Sequence, residues 1–529
     1  MSSSLFQAYV TGEARRFFGP HPFSVDERRA AVRRAVRPLE AAVASGLTTQ
    51  NARYASSAAR EAHLDALRSG AAAVVTGQQV GLFLGPLYTI YKAATAVRVA
   101  QSLSQESGQP VVPIFWLQTE DHDLVEIASC AVSHGQAETL TLSLPADPHQ
   151  RVSIAHHSLP ASVIEQLSVL RTALAHLPHA NTHLERLERH YRAGVGWADA
   201  FAHVLAELFA DDGLVLIDPR DRAFGVAAAR VHRTALRNAS PIADALAQRV
   251  LELEAAGYEA AIAVRPKAPL AFFHPLGATG ARYRLEPAAG RFAEVGGNSV
   301  HSLEELCAAL DADPLSFSTS ALLRPILQDT LLPTAAYVGG PGEVAYFAQM
   351  APLYAAFDLA MPLVVPRARF RVVDDRARRL LERWRLTPAD AERSEDALLA
   401  HCHALSGKAV ATDSLEQALL TPFCTALEQL TPQLVSAGPG VDVAIEKTRD
   451  RVKSDVSKLL AKYQKASIHR DAVMVDEVRR LRRLLFPENR PQERTYGLAS
   501  FAARFGERAF IDKVLASVVP FDAAIRDLA

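Results

Sequence analysis

The sequence predicts an α/β protein: a doubly wound, mostly parallel sheet followed by a helical domain. Three observations carry this. Short apolar runs alternate with helix-patterned segments, so that strand, helix, strand recurs as in βαβ units. The runs are apolar throughout instead of alternating, as strands buried on both faces are. Beyond about residue 376 the strand signals stop and helical spacing takes over.

The elements follow in order. Ser24 and Glu27 fit a capping box, and the Ala- and Arg-rich run behind them predicts a helix to Ala44. Residues 56–68 are patterned as a second helix. Ala71–Val75 is a strand ending at Thr76-Gly77, Leu87–Ser102 a helix, and Val111–Leu117 a strand ending in an acidic cluster. Further strands are predicted at Leu214–Ile217, Ala261–Val264, Ala335–Val338 and Leu363–Val365. The core is assigned to residues 1–375. A His- and Leu-rich helical insertion at 150–210 interrupts it, and so do hairpins at 269–300 with turns at 277–280 and 288–290.

Residues 376–490 form the helical domain. Ile445, Thr448, Val452, Val456, Leu459, Tyr463 and Ala466 make a heptad-like seam, and Met474, Val478, Leu481 and Leu485 continue it after a stutter. One helix over Val441–Leu485 is expected, with Ser414–Val435 as its antiparallel partner. A helix that long carries more apolar surface than one short partner covers, so a coiled-coil homodimer is favoured over a plain intramolecular hairpin. Residues 491–529 read as a return onto the core.

Composition excludes several classes. The 529 residues carry 57 basic and 58 acidic side chains, for a net charge of −1. The two signs are interleaved, so nucleic acid is not an expected partner. The four cysteines form no CxxC pair, and neither a zinc ribbon nor a disulfide framework is expected. No apolar run reaches membrane-spanning length and the first residues lack a signal-peptide pattern, so no membrane partner is expected and the cytoplasm is the expected compartment.

Three segments carry chemistry. The first, Thr76–Lys92, follows a strand and opens a helix, where α/β sheets bind ligands. Thr76, Gly77, Gln78, Gln79, Gly85, Tyr88 and Lys92 are its candidate binding residues. It is neither a Walker loop nor GxGxxG, and a plain glycine-rich connection is the competing reading. The second, Phe115–Glu126, packs Trp116, Glu120, Asp121, His122, Asp123 and Glu126 together. With Thr119 as helix cap, Glu120, Asp123 and Glu126 would share one side. Acids complementing a helix dipole, a metal site built on Asp121, His122 and Asp123, and general acid–base work by His122, Asp123 and Glu120 all compete here. The acid–base or substrate-positioning reading is preferred, with no metal ligands assigned. The third segment holds Arg324 and Gln328, then Gly339, Gly340 and Glu343 at a strand-to-helix turn; Arg324 suits a carboxylate or phosphate.

The stretches TGQQVGLFLGPLYTIYKA, FWLQTEDHDLVE, LLRPILQDTLLPTAAYVGGPGEVAYF, PLVVPR and PQERTYG together resemble the bacillithiol biosynthesis cysteine-adding enzyme family, the BshC cysteine ligases, in order and along the whole chain. The resemblance implies a Rossmann-like core akin to class I aminoacyl-tRNA synthetases, connecting-peptide insertions and a coiled coil that supports dimers. It implies that cysteine is joined through its carboxyl group to the amine of glucosaminyl malate. The synthetase signatures HIGH and KMSKS do not occur. An amide-forming ligase using ATP, with Mg²⁺ beside the nucleotide, is the leading expectation; Lys92 and Arg324 would meet charge and His122 or an acid would be the base. A non-catalytic coiled-coil scaffold or regulatory dimer and a metal-dependent hydrolase are the alternatives.

Overall fold

The computed structural model describes residues 3–135, 137–407, 412–436 and 438–528. It divides into two compact units, Met1–Arg371 with Glu493–Leu528, and Val372–Gln492.

The first unit is built on five parallel strands: β1 (Ala72–Gln79), β2 (Val111–Gln118), β3 (Val215–Ile217), β4 (Thr334–Gly339) and β5 (Leu363–Pro366). Their order is β3-β2-β1-β4-β5, so the chain winds outward one way from β1 and then returns to wind the other way. The order reverses between β1 and β4, and a doubly wound sheet opens a crevice at that point. Nearly every residue of β1 and β2 is buried, which explains their unbroken apolar runs. Pro113 sits in central β2 just before pairing with β3 begins at Ile114, where a missing N–H is tolerated. Helix α1 (Tyr88–Ser107) crosses from β1 to β2 and ends at Gly108 in the left-handed region, φ 68°. Helix α2 (Pro341–Phe347) follows β4.

Several predicted elements differ from those observed. Ser24 does cap a helix, its hydroxyl accepting from Glu27 N, but that helix ends at Ala35. A non-helical stretch with Pro38 intervenes, and a separate helix covers Ala41–Asn51. Ala261–Val264 is not a strand. The Gln349 amide takes both backbone groups of Ile262, each at 2.9 Å, in place of a neighbouring strand. Thr119 caps no helix, because its hydroxyl donates to buried Asp218 at 2.5 Å, and the helix starts only at Leu124.

The hairpins at 269–300 are present and belong to a second sheet. Ala271–Phe273, Tyr283–Ala288, Arg291–Glu294 and Val300–His301 join Phe317–Thr319 in five antiparallel strands. The 150–210 insertion forms helices Val163–Leu174, Ala180–His190 and Trp197–Leu208. The returning segment lies against the start of α1: Leu87 N donates to Tyr496 O and Gly497 N to Ala131 O, both at 2.8 Å. Gly497 must lack a side chain, since a Cβ there would lie 2.6 Å from Cys130 Sγ and 3.0 Å from Gly85 O.

In the second unit, α3 (Thr412–Val435) and α4 (Val441–His469) pack on each other across a short turn. The single helix expected over 441–485 is instead two. It breaks at Arg470, and the Asp471 side chain accepts from Met474 N to cap α5 (Ala472–Leu485). The break falls at the stutter in the seam. No side chain of α3 is buried, and Leu419, Leu430, Leu459 and Tyr463 stand exposed on the hairpin.

Candidate functional site

A cavity of 360 Å³ opens where the strand order reverses. The C-terminal end of β1 delivers Gln78 and Gln79 to it; β2 and the loop beyond deliver Trp116, Gln118, Glu120 and Asp121. Gly340 and Glu343 come from the start of α2, Tyr88 and Lys92 from α1, and Arg367 from the end of β5. The second sheet contributes Arg282 and Thr319, and the returning segment Arg494.

The floor is a closed hydrogen-bond network. The Lys92 ammonium donates to Gly77 O (2.7 Å) and Gln78 Oε1 (2.9 Å) and lies 2.5 Å from Glu343 Oε2, so its three protons are committed. Glu343 also accepts from Tyr337 OH at 2.5 Å and Gly340 N at 2.9 Å. Burial lowers the Lys92 pKa against the pull of Glu343. Burial alone would raise Glu343, but the Lys92 ammonium holds its carboxyl below the usual range. Arg324 donates to Gln328 Oε1 (2.9 Å), Tyr337 OH (3.1 Å) and Tyr346 OH (2.7 Å). The charges expected to meet a ligand's phosphate or carboxylate, Lys92 and Arg324, are thus engaged by the protein itself.

Gln328 lies behind Arg324 and off the cavity. Its amide donates to Asp329 Oδ1 at 2.8 Å, and Tyr354 OH donates to Asp329 Oδ2 at 2.5 Å. Burial pushes the Asp329 carboxyl up to about 6 despite those donors.

One wall is organised by Arg282. Its Nε donates to Ser318 Oγ (3.0 Å) and its Nη2 to Thr319 O (2.8 Å); Nη1 donates to Asp121 Oδ1 (2.9 Å) and His122 Nδ1 (3.0 Å). Its guanidinium lies 3.6 Å from the centroid of the Phe272 ring. Burial opposes the Asp121 charge, but donors from His122 and Arg282 hold its carboxyl far below the usual range. Glu120 accepts from the Thr319 amide at 3.3 Å and from the Thr319 hydroxyl.

The candidate binding residues Gln79 and Gly340 and the acid–base candidates His122 and Asp123 are placed differently. Gln79 and Gly340 line the cavity, whereas His122 sits behind Arg282 and Asp123 caps the helix at Leu124 through Glu126 N. The His122 Nδ1 faces the Arg282 guanidinium at 3.0 Å and not the cavity. Thr76 is fully buried and ties β1 to β4 through Val338 O at 2.9 Å. A Cβ on Gly77 would lie 3.0 Å from Trp116 O, so glycine lets β1 and β2 approach there. Gly85 and Gly339 lie in the backbone next to the cavity without lining it.

The mouth is different in kind. Glu126, on the helix Leu124–Ile127, is exposed and accepts only the Gln79 amide, at 2.9 Å. Burial, and then the neighbouring Asp121 and Asp123 charges, raise its pKa against that bond. Arg494 is exposed and makes no ion pair among the described residues. Tyr88 senses both: burial raises its pKa, Arg494 lowers it and Glu126 raises it. Arg367 lies 5.5 Å from the Tyr88 ring centroid and grips Glu493 bidentately at 2.8 and 2.6 Å. Arg282, Thr319, Arg367 and Arg494 were not singled out from the sequence. Arg367 and Arg494 lie within PLVVPR and PQERTYG, which signalled them; nothing local marks Arg282 or Thr319.

Residues 1–368 match the family described as the bacillithiol biosynthesis BshC N-terminal Rossmann-like domain, and residues 371–525 the BshC C-terminal coiled-coil domain. A protein named "Putative cysteine ligase BshC" from Koribacter versatilis is 34% identical over 466 residues, 88% of this chain and 85% of that one. One of the same name from Solibacter usitatus is 34% identical over 442 residues, covering 83% and 80%. Another from Geobacillus thermodenitrificans is 27% identical over 525 residues, covering 97% and 96%.

Proposed function

The chain belongs to the bacillithiol biosynthesis BshC family, and from that premise we propose that it is a cysteine ligase, joining the carboxyl group of cysteine to the amine of glucosaminyl malate as an amide. The observation that carries this reading is the cavity at the β1/β4 reversal, whose walls are fixed by buried polar networks and whose mouth presents free charge of both signs. Such a site suits small, highly polar substrates better than apolar ones.

Amide formation from a carboxylate needs activation, and ATP is the proposed source. A cysteine carboxylate oxygen attacks a phosphorus of ATP and pyrophosphate or ADP departs. The acceptor amine then attacks the activated carbonyl carbon, expelling AMP or phosphate and shedding a proton to a base. Among the described residues no group of three or more His, Cys, Asp and Glu side chains is arranged to hold a metal ion. Mg²⁺ is therefore proposed to enter on the nucleotide's own phosphates. His122 acts through Arg282 in this scheme, as a positioning residue, because its Nδ1 holds that guanidinium.

The test is to supply the purified chain with cysteine, glucosaminyl malate, ATP and Mg²⁺ and follow the thiol amide by mass spectrometry. Cysteine labelled with ¹⁸O in its carboxyl group should pass one label to AMP or to phosphate, according to which phosphorus is attacked. Absence of product with every component present would sink the ligase reading; product without nucleotide would sink the activation scheme.

The exposed apolar side chains of α3 and α4 support a second element of the proposal, a homodimer through the hairpin. Light scattering should give twice the chain mass, and Leu459→Asp with Leu430→Asp should halve it. A wild-type monomer at micromolar concentration would overturn the dimer. The cytoplasm is the proposed compartment; among the described residues no helix is long and apolar enough to cross a membrane.

A further inference from the structure

The charges lining the cavity are not equally committed. Lys92 is paired with Glu343, Arg282 with Asp121 and Arg367 with Glu493, while Arg324 is spent on two tyrosines and Gln328. Glu120 is taken by Thr319. Of the lining charges, Arg494 and Glu126 are the two that are exposed, and neither forms an ion pair among the described residues. They reach the same cavity from different elements, and the charge of each acts on the Tyr88 hydroxyl. The two charges do not pair with each other.

We infer that Glu126 and Arg494 form a clamp for the zwitterion of the amino-acid substrate, with Glu126 accepting from its α-ammonium and Arg494 donating to its carboxylate. This rests on the ligase reading of the cavity. An α-amino acid carries its two charges on adjacent carbons, so it can bridge two protein charges that do not bridge each other. Each contact is then a charge-assisted hydrogen bond, stronger and more directional than the neutral bonds around it. Gln79 sets the clamp, since its amide holds Glu126 at 2.9 Å and Asp121 at 3.3 Å and so fixes where the acceptor points. Tyr88, which lines the same cavity, presents a hydroxyl whose ionisation is suppressed by burial, so it adds no competing charge. A carboxylate held by one oxygen at Arg494 keeps the other free to attack phosphorus. The α-ammonium, held at Glu126, stays protonated and cannot itself be acylated, which protects cysteine from joining to a second cysteine.

Direct binding tests this without requiring turnover. Cysteine, 3-mercaptopropionate (no ammonium) and cysteamine (no carboxylate) are titrated calorimetrically into wild type, Glu126→Gln and Arg494→Gln, with circular dichroism confirming the fold. Glu126→Gln should weaken cysteine and cysteamine by about 10- to 100-fold and leave 3-mercaptopropionate unchanged. Arg494→Gln should weaken cysteine and 3-mercaptopropionate and leave cysteamine unchanged. If both variants weaken all three ligands alike, or neither variant weakens cysteine, the clamp is overturned. Loss of glucosaminyl malate binding with cysteine unaffected would assign the charges to the acceptor and overturn it too. If the wild type ignores cysteine but binds another α-amino acid with this same crossed pattern, the clamp stands and the cysteine reading falls.

Discussion

The floor and the mouth of the cavity are made of the same residue types and behave oppositely. On the floor, Lys92, Tyr337 and Arg324 are buried and Glu343 is half-buried, and each spends its donors or acceptors on another protein group. At the mouth, Glu126 and Arg494 are exposed and carry charge that no protein group neutralises. Burial explains the contrast. A buried charge without a partner costs several kcal/mol, whereas an exposed one is stabilised by water and can wait for a ligand. In the proposed reading the floor contributes shape and stability, and the mouth contributes recognition.

The comparison breaks most readily at Lys92. Replacing it by Met leaves the half-buried Glu343 carboxylate without its countercharge, and denaturant unfolding should show a loss of about 3–5 kcal/mol. The double variant with Glu343→Leu should recover much of it. A loss under about 1 kcal/mol for Lys92→Met would mean that the floor is not a structural network.

Asp329 gives the next largest effect, and its sign is specific. Its carboxyl titrates near 3.8 when unfolded and about 6 when folded, so the folded chain binds the extra proton between those values. The contribution of this group to stability is intact below about pH 4 and is lost as pH rises to about 6, by roughly 3 kcal/mol in all. Asp329→Asn should abolish that slope and be more stable than wild type at pH 7–8. Parallel stability curves for the two proteins over pH 4–7 would contradict the assignment.

His122 lies behind Arg282, which lines the cavity. His122→Ala should lower kcat by about 10- to 100-fold through a misplaced Arg282, with a melting temperature close to wild type. His122→Asn can still offer Arg282 an acceptor and should retain most of the rate. Total loss of turnover in both variants, with the fold intact, would make the imidazole the base instead. The smallest effect belongs to the mouth: Glu126→Gln and Arg494→Gln should each change unfolding free energy by no more than about 0.5 kcal/mol. A larger loss at either would erase the distinction drawn between the two ends.

The β1–α1–β2 unit was legible because strands buried on both faces write themselves as apolar runs. The residues after β1 and β4 were legible because ligand sites collect at strand ends. Ala261–Val264 misled for the same reason: an apolar run reads as a strand unless something else takes its backbone, and Gln349 lies 87 residues away in sequence. The break at Asp471 was visible as a stutter but was read as continuous, since Asp is both a tolerable helix residue and a good cap. Arg282 meets Asp121 from 161 residues away, through the packing of a second sheet that no local pattern describes. In the proposed scheme the role of His122 turns on one hydrogen bond from that same arginine.

The cavity is completed late in synthesis. The chain leaves the α/β unit at Arg371 and re-enters it only at Glu493. Glu493 neutralises Arg367, and Arg494 supplies the free cation of the mouth. A ribosome adding about 5–20 residues per second needs roughly 6–24 s to cross the 121 residues between. Throughout that interval the nascent α/β unit lacks both Glu493, the partner of Arg367, and Arg494. Premature termination anywhere in the helical unit would release a protein with all five parallel strands but without Glu493 or Arg494.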